Sequence, residues 1–165
     1  MTLHWANLLT NKQVIEAFYT TVPPLEGVGL RSVHLERAGP GLVLQIALPV
    51  FPDKPLPEWS ETGCDRFQCQ LQFGGVDDID WRGWRSGSTA DVTLEPEPRR
   101  RVRAEIVAAG MELRFTAADD LMVGKPSAYR VTAQGERHSY VSKVDRFRFQ
   151  DGVPEVWERS FYGRV

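Results

Sequence analysis

Apolar and polar residues alternate along most of this chain, the period of a half-buried β-strand, and one stretch near the amino terminus departs from it. There Val14, Ile15 and Phe18 fall on one stripe of an α-helix. Thr10 or Asn11 can cap it, and Gln13 follows Thr10 by three residues, as in a capping box. Pro23-Pro24 bars its continuation, because proline lacks a backbone donor and pushes the preceding residue into extended conformations. A helix is therefore predicted over Asn11 to Tyr19, the longest expected in the chain.

Val28 to Glu36 is predicted extended, and its apolar phase slips between Leu30 and Val33, which places a bulge near Arg31-Ser32. Leu42, Leu44, Ile46 and Leu48 alternate with Val43, Gln45 and Ala47, after a turn at Ala38-Gly39-Pro40-Gly41. The four prolines from Pro49 to Trp59 forbid a central strand and predict a stiff loop. Phe67, Cys69, Leu71 and Phe73, set among Arg66, Gln68, Gln70 and Gln72, form the clearest strand. Gly74-Gly75 then turns the chain into Val76 to Trp84. Ala90, Val92 and Leu94 make a further strand, followed by a loop from Glu95 to Arg100.

Val102 to Ala108 and Met111 to Ala117 form a hairpin around Ala109-Gly110. A two-residue loop there sets Ile106 opposite Leu113 and Ala104 opposite Phe115, and on the other face Glu105 opposite Arg114. Beyond it the pattern weakens. Asp119 to Met122 is expected to form one helical turn, Gln134 to Arg137 a turn, and Val144 to Phe149 a strand. A turn at Asp151-Gly152 and a last strand from Val156 to Phe161 complete the expectation.

No repeat and no linker divides the sequence, so residues 1–165 are expected to form one domain. Its class is α+β and mainly antiparallel β, a meander sheet or sandwich, or a partly open barrel, with an N-terminal helix. Phe67, Cys69, Leu71, Phe73, Ile106, Leu113 and Phe115 are the predicted core.

Composition narrows the classes of function. Twenty basic side chains against twenty-two acidic ones give a net charge of -2, which makes no electrostatic case for nucleic acid or an anionic membrane. No apolar run approaches the roughly 20 residues that span a bilayer. The opening Met1-Thr2-Leu3-His4-Trp5 lacks the basic and apolar regions of a signal peptide, so a cytoplasmic location is expected. Cys64 and Cys69 in an extended chain stand roughly 16 Å apart, beyond disulfide reach, and are expected to be free. With His4, His34 and His138 scattered, no metal site, cofactor or catalytic residue is assigned.

The run Asp77-Asp78-Ile79-Asp80-Trp81-Arg82-Gly83-Trp84 is the most suggestive stretch. Three carboxylates there can hold a divalent cation or flank a bond as acid and base, but the run lacks the ordering of a calcium loop. As a solvated turn it needs no ligand at all. Carboxylates beside tryptophans also fit a partner-facing patch. Arg99-Arg100-Arg101 with Arg103 can touch phosphate, but Glu95 and Glu97 oppose the charge, and a solvated loop is expected.

Several stretches together resemble the immunity protein 50 family of bacterial polymorphic toxin systems, found chiefly in actinobacteria. They are Trp5, Leu8-Leu9, Asn11, Val14 and Tyr19, then Pro24-Leu25, Val28, Leu30, Val33 and Leu35. Gly39-Pro40, Leu42 and Leu44, Phe51-Pro52-Asp53-Lys54-Pro55 with Trp59, and Gln70-Leu71 with Phe73-Gly74-Gly75-Val76 continue the likeness. The resemblance covers about the first half of the chain. It implies a cytoplasmic, non-enzymatic protein that binds a cognate toxin domain and blocks it by steric occlusion. An inhibitor needs exposed anchors, and Trp59 on the proline-rich loop with Asp77, Asp78, Asp80, Trp81 and Trp84 are the expected partner-binding residues. The competing expectation is a small-ligand-binding β-barrel or sandwich whose tryptophans line a pocket.

Overall fold

The computed structural model describes residues 1–36, 41–85 and 87–150. Among them are nine strands: β1 (Val28–Leu35), β2 (Leu42–Ala47), β3 (Arg66–Phe73), β4 (Asp77–Arg82), β5 (Thr89–Glu97), β6 (Arg101–Ala108), β7 (Met111–Ala118), β8 (Met122–Thr132) and β9 (Gly135–Tyr140). Three short helices accompany them, α1 (Gln13–Glu16), α2 (Pro57–Glu61) and α3 (Lys143–Phe149). The strands form one antiparallel sheet in the order β4-β7-β6-β5-β1-β2-β3-β8-β9, which does not close into a barrel.

The sheet nonetheless coils strongly. Phe73 of β3 and Phe115 of β7 lie five strands apart in that order, which a flat sheet would separate by roughly 24 Å. Their rings meet edge-on at 4.9 Å. Right-handed twist accumulated over the strands wraps one face around a common core. Phe67, Cys69, Leu71, Phe73, Ile106, Leu113 and Phe115 all point into it, as their alternation predicts.

The β6–β7 hairpin has the predicted register, with Ile106 opposite Leu113, Ala104 opposite Phe115 and Glu105 opposite Arg114. The β1–β2 ladder slips between Leu30 and Ser32, at the predicted bulge. The turn expected at Ala38-Gly39-Pro40-Gly41 lies, apart from Gly41, outside the described residues. The middle strands are covered on both sides, so the interleaved Gln68 and Gln70 of β3 are buried as well.

The N-terminal helix is shorter than its pattern suggests. α1 spans four residues, and α3 is the longest α-helix described. Ile15 and Phe18 are buried as predicted, but neither Thr10 nor Asn11 caps the helix; Lys12 stands at its N-cap without a side-chain bond. Asn11 instead clamps β8. Its Nδ2 donates to the Val123 carbonyl at 2.8 Å and its Oδ1 accepts from the Val123 N–H at 3.0 Å. Thr10 Oγ1 donates to the Leu121 carbonyl, and Leu9 and Leu121 form a parallel bridge. Asp119 to Met122 is accordingly not helical: Asp119 is a bend, Leu121 holds the bridge and Met122 opens β8.

Glu95 to Glu97, expected in a loop, continue β5 and pair with β6, and further corrections fall after the hairpin. The Gln134 turn tightens to Ala133-Gln134, and Gly135 onward is already β9. Val144 to Phe149 belongs to α3 and not to a strand: the Ser142 hydroxyl accepts from Val144 and Asp145 N–H, which starts a helix. The turn at Asp151-Gly152 and the strand from Val156 to Phe161 lie outside the described residues.

Candidate functional site

β4 ends the strand order, so one of its edges has no neighbouring strand among the described residues, and all six of its residues are exposed. A bulge shapes it. Asp77 pairs with Thr116 and Asp80 with Arg114, so Asp78 and Ile79 together oppose Phe115. Asp78 takes up the extra residue at φ 54°, a left-handed conformation that aspartate tolerates better than most side chains.

After the bulge the two faces of β4 separate by chemistry. Asp80 and Arg82 share a face with Glu112 and Arg114. Asp80 bridges Arg82 at 3.4 Å, and Arg114 bridges Glu105 at 3.6 Å. Trp81 lies across from Leu113, on the core side but beyond the core's rim, and is 38% exposed. Gly83 then turns the chain at φ 73°, where an added Cβ would stand 2.2 Å from the Gly110 carbonyl oxygen. Only glycine fits so close to that backbone. The Trp81 indole N–H donates to the Gly83 carbonyl at 2.8 Å, and Trp84 packs edge-on against Trp81 at 6.1 Å. The result is an exposed aromatic pair beside Ile79, at one end of the sheet.

The carboxylates are unequally engaged. Asp77 accepts from Arg101 at 3.2 Å, and Arg101 is held further by the Gly75 carbonyl and Thr116. Asp78 has no side-chain partner among the described residues. Among those residues no group of three or more His, Cys, Asp or Glu is placed to hold a metal ion. The nearby arginine run is largely neutralised, with Arg100 on Asp119, Arg101 on Asp77 and Arg103 on Glu97.

Trp59 does not join this patch, and its expected role as an exposed anchor is corrected. Pro57 opens α2 at a first-turn position, where proline's missing donor costs nothing, and the helix turns the indole inward. Trp59 is 0% exposed, packed against Phe18 at 4.9 Å, Phe67 at 5.9 Å and Phe51 at 6.3 Å. It is a core residue.

A second constellation escaped the sequence reading. Ser127 Oγ lies 2.8 Å from His138 Nδ1, and His138 Nε2 lies 3.0 Å from Glu136 Oε2. Arg31, freed from the regular ladder by the β1 bulge, pairs with Glu136 and lies over the Tyr129 ring. Desolvation pushes the Glu136 carboxyl up, but hydrogen bonds and charge from His138 and Arg31 outweigh it and hold the group below its ordinary range. The residue types are those of a nucleophilic triad. However, Ser127 is fully buried, and His138 is stacked on Tyr129 at 4.6 Å and on Tyr140 at 5.8 Å. A nucleophile without access to substrate does no chemistry, so the network acts as a polar brace between β1, β8 and β9. The period-two spacing of Glu136, His138 and Tyr140 is the signal that places them on one face of a strand.

Both cysteines are free, and burial pushes the Cys69 thiol up to about 12, which leaves it inert at neutral pH.

A model of the immunity protein 50 family matches residues 11–126, well over half of the chain. The chain belongs to the immunity protein 50 family. That match runs from the Asn11 clamp through the whole β4 patch and into β8. No curated protein and no solved structure matches the chain. The immunity family name suggests an inhibitory, non-catalytic role and a toxin as partner. No helix among the described residues is long and apolar enough to cross a membrane.

Proposed function

We propose that this chain is a cytoplasmic immunity protein that binds the toxin domain encoded beside it and blocks that domain by steric occlusion. Membership of the immunity protein 50 family is the observation that carries the reading. The surface best suited to the toxin is the β4 edge, with Trp81 and Trp84 as aromatic anchors and Asp77, Asp78 and Asp80 as orienting charges. Aromatic side chains dominate interface energetics when they enter a pocket on the partner, and a free carboxylate such as Asp78 sets orientation. The competing ligand-binding barrel loses support from the open sheet. Among the described residues the tryptophans also fail to converge, since Trp5 and Trp59 are buried while Trp81 and Trp84 stand on an edge.

The test is co-expression with the neighbouring toxin domain, read as cell survival and as a complex on gel filtration. Wild-type chain should protect, and Trp81→Ala combined with Trp84→Ala and Asp78→Ala should lose protection while melting near the wild-type temperature. Failure of wild-type chain to bind or protect sinks the function. Full protection by the triple variant removes the β4 surface and leaves the function standing.

A further inference from the structure

An open strand edge is a template for pairing with another chain, and among the described residues nothing pairs with the outer edge of β4. Proteins blunt such edges with bulges and charges. Here the bulge is confined to Asp78 and Ile79. The regular stretch after it carries Asp80 and Arg82, opposite charges that flank Trp81 and are both exposed.

That order of charges complements its own copy. When two copies of an edge strand pair antiparallel about a two-fold axis, each contact occurs twice and facing side chains share a face of the joined sheet. An axis at Asp80 would set two carboxylates opposite each other, and an axis at Arg82 two guanidiniums; both placements are destabilising. An axis at Trp81 sets Asp80 against Arg82 of the second copy at both ends. It also makes the two Trp81 side chains direct cross-strand neighbours on the other face, about 4.5–5.5 Å apart at Cβ. Trp84 packs against Trp81 at 6.1 Å, so four exposed indoles gather about this axis. The Asp80–Arg82 bridge within one strand is 3.4 Å long and solvent-exposed, and exchanging it for the same contact across the axis costs little.

We propose that β4 pairs edge to edge with β4 of a second copy of this chain, about a two-fold axis at Trp81, joining the two sheets into one. So short a ladder buries less than the roughly 800 Å² per partner of a standard interface, so the dimer is weak and depends on concentration. A toxin seated on Trp81 and Trp84 displaces the second copy. The pairing is argued from the strand alone and does not rest on the toxin reading, so either can fail while the other stands.

Sedimentation velocity of the full chain without toxin, from low- to high-micromolar concentration, tests it. Monomer at the low end and dimer at the high end are expected. Asp80→Arg and Arg82→Asp each set like charges together at both ends and should each weaken the dimer about tenfold or more. The double variant Asp80→Arg/Arg82→Asp restores unlike pairs and should restore the dimer. In the monomer the same changes face Arg114 and Glu112 on β7, so a second measurement avoids them. In a Cys64→Ser background, Trp81→Cys should oxidise to a disulfide-linked dimer, because residue 81 meets its own copy. Glu112→Cys, one strand further in on each side, lies beyond disulfide reach of its copy and should not. Should the double variant melt well below wild type, the disulfide decides. A wild-type chain that stays monomeric throughout leaves the edge to the toxin and overturns the pairing. So does a dimer that either reversal leaves intact, a folded double variant that stays monomeric, or a disulfide that forms as readily through Glu112→Cys as through Trp81→Cys.

Discussion

Replacing Trp59 separates a core tryptophan from an interface tryptophan. Truncating a buried tryptophan to alanine costs about 3–5 kcal/mol through lost transfer energy and the cavity left behind. Two features of this site move the value in opposite directions. Close rings at Phe18, Phe51 and Phe67 add aromatic contacts, each worth about 0.5–1.5 kcal/mol beyond area burial. Against them, the Trp59 indole N–H is buried with no hydrogen-bond partner among the described residues, a penalty of about 1–3 kcal/mol that the substitution removes. The two corrections roughly offset one another, so Trp59→Ala should keep the ordinary cost of about 3–5 kcal/mol for such truncations. At about 2–4 °C per kcal/mol for a chain of this size, the melting temperature should fall by roughly 6–20 °C. Trp59→Phe keeps a ring in the cluster and deletes the orphan donor, so it should lose less than half as much. Trp81→Ala and Trp84→Ala, at partly exposed positions, should each stay within about 0.5 kcal/mol of wild type. Differential scanning calorimetry of the four variants decides the matter. A Trp59→Ala protein that melts within about 2 °C of wild type would refute the argument, because a shift that small belongs to a surface position.

The remaining predictions concern the braces around the sheet. Asn11→Ala removes both hydrogen bonds to Val123 and should cost about 1–3 kcal/mol in urea unfolding, whereas an N-cap residue on so short a helix would cost less. Glu136 is held below its ordinary range in the folded state, so folding releases its proton and stability rises with pH through that window. Wild type should therefore exceed Glu136→Gln in stability above about pH 4.5 and lose that margin as the pH falls below it; a margin that grows in acid would reverse the assigned sign. With its thiol raised by burial, Cys69 should react with a thiol reagent only after unfolding. Partly exposed Cys64 should react in the native protein, and two fast native equivalents would show that β3 is not a core strand.

The sequence by itself determined the strands whose two faces differ. Phe67 to Phe73 and the β6–β7 hairpin carry apolar residues at every second position, and a slip of one residue would turn each of those side chains to the wrong face. The inward positions of both, the hairpin register and the Leu30–Ser32 bulge were therefore legible from pattern alone. Tertiary structure decided what pattern does not encode. Trp59 and Trp81 are the same side chain beside similar turn residues; the direction in which Pro57 starts a helix buries one, and the end of the strand order exposes the other. Asn11 looked like a helix cap because a local hydrogen bond is the nearest use for its amide, but β8 supplies Val123 from 112 residues away. Ser127 reaches His138 and Arg31 reaches Glu136 for the same reason: strand pairing and a bulge bring together positions whose separation in sequence carries no sign of contact.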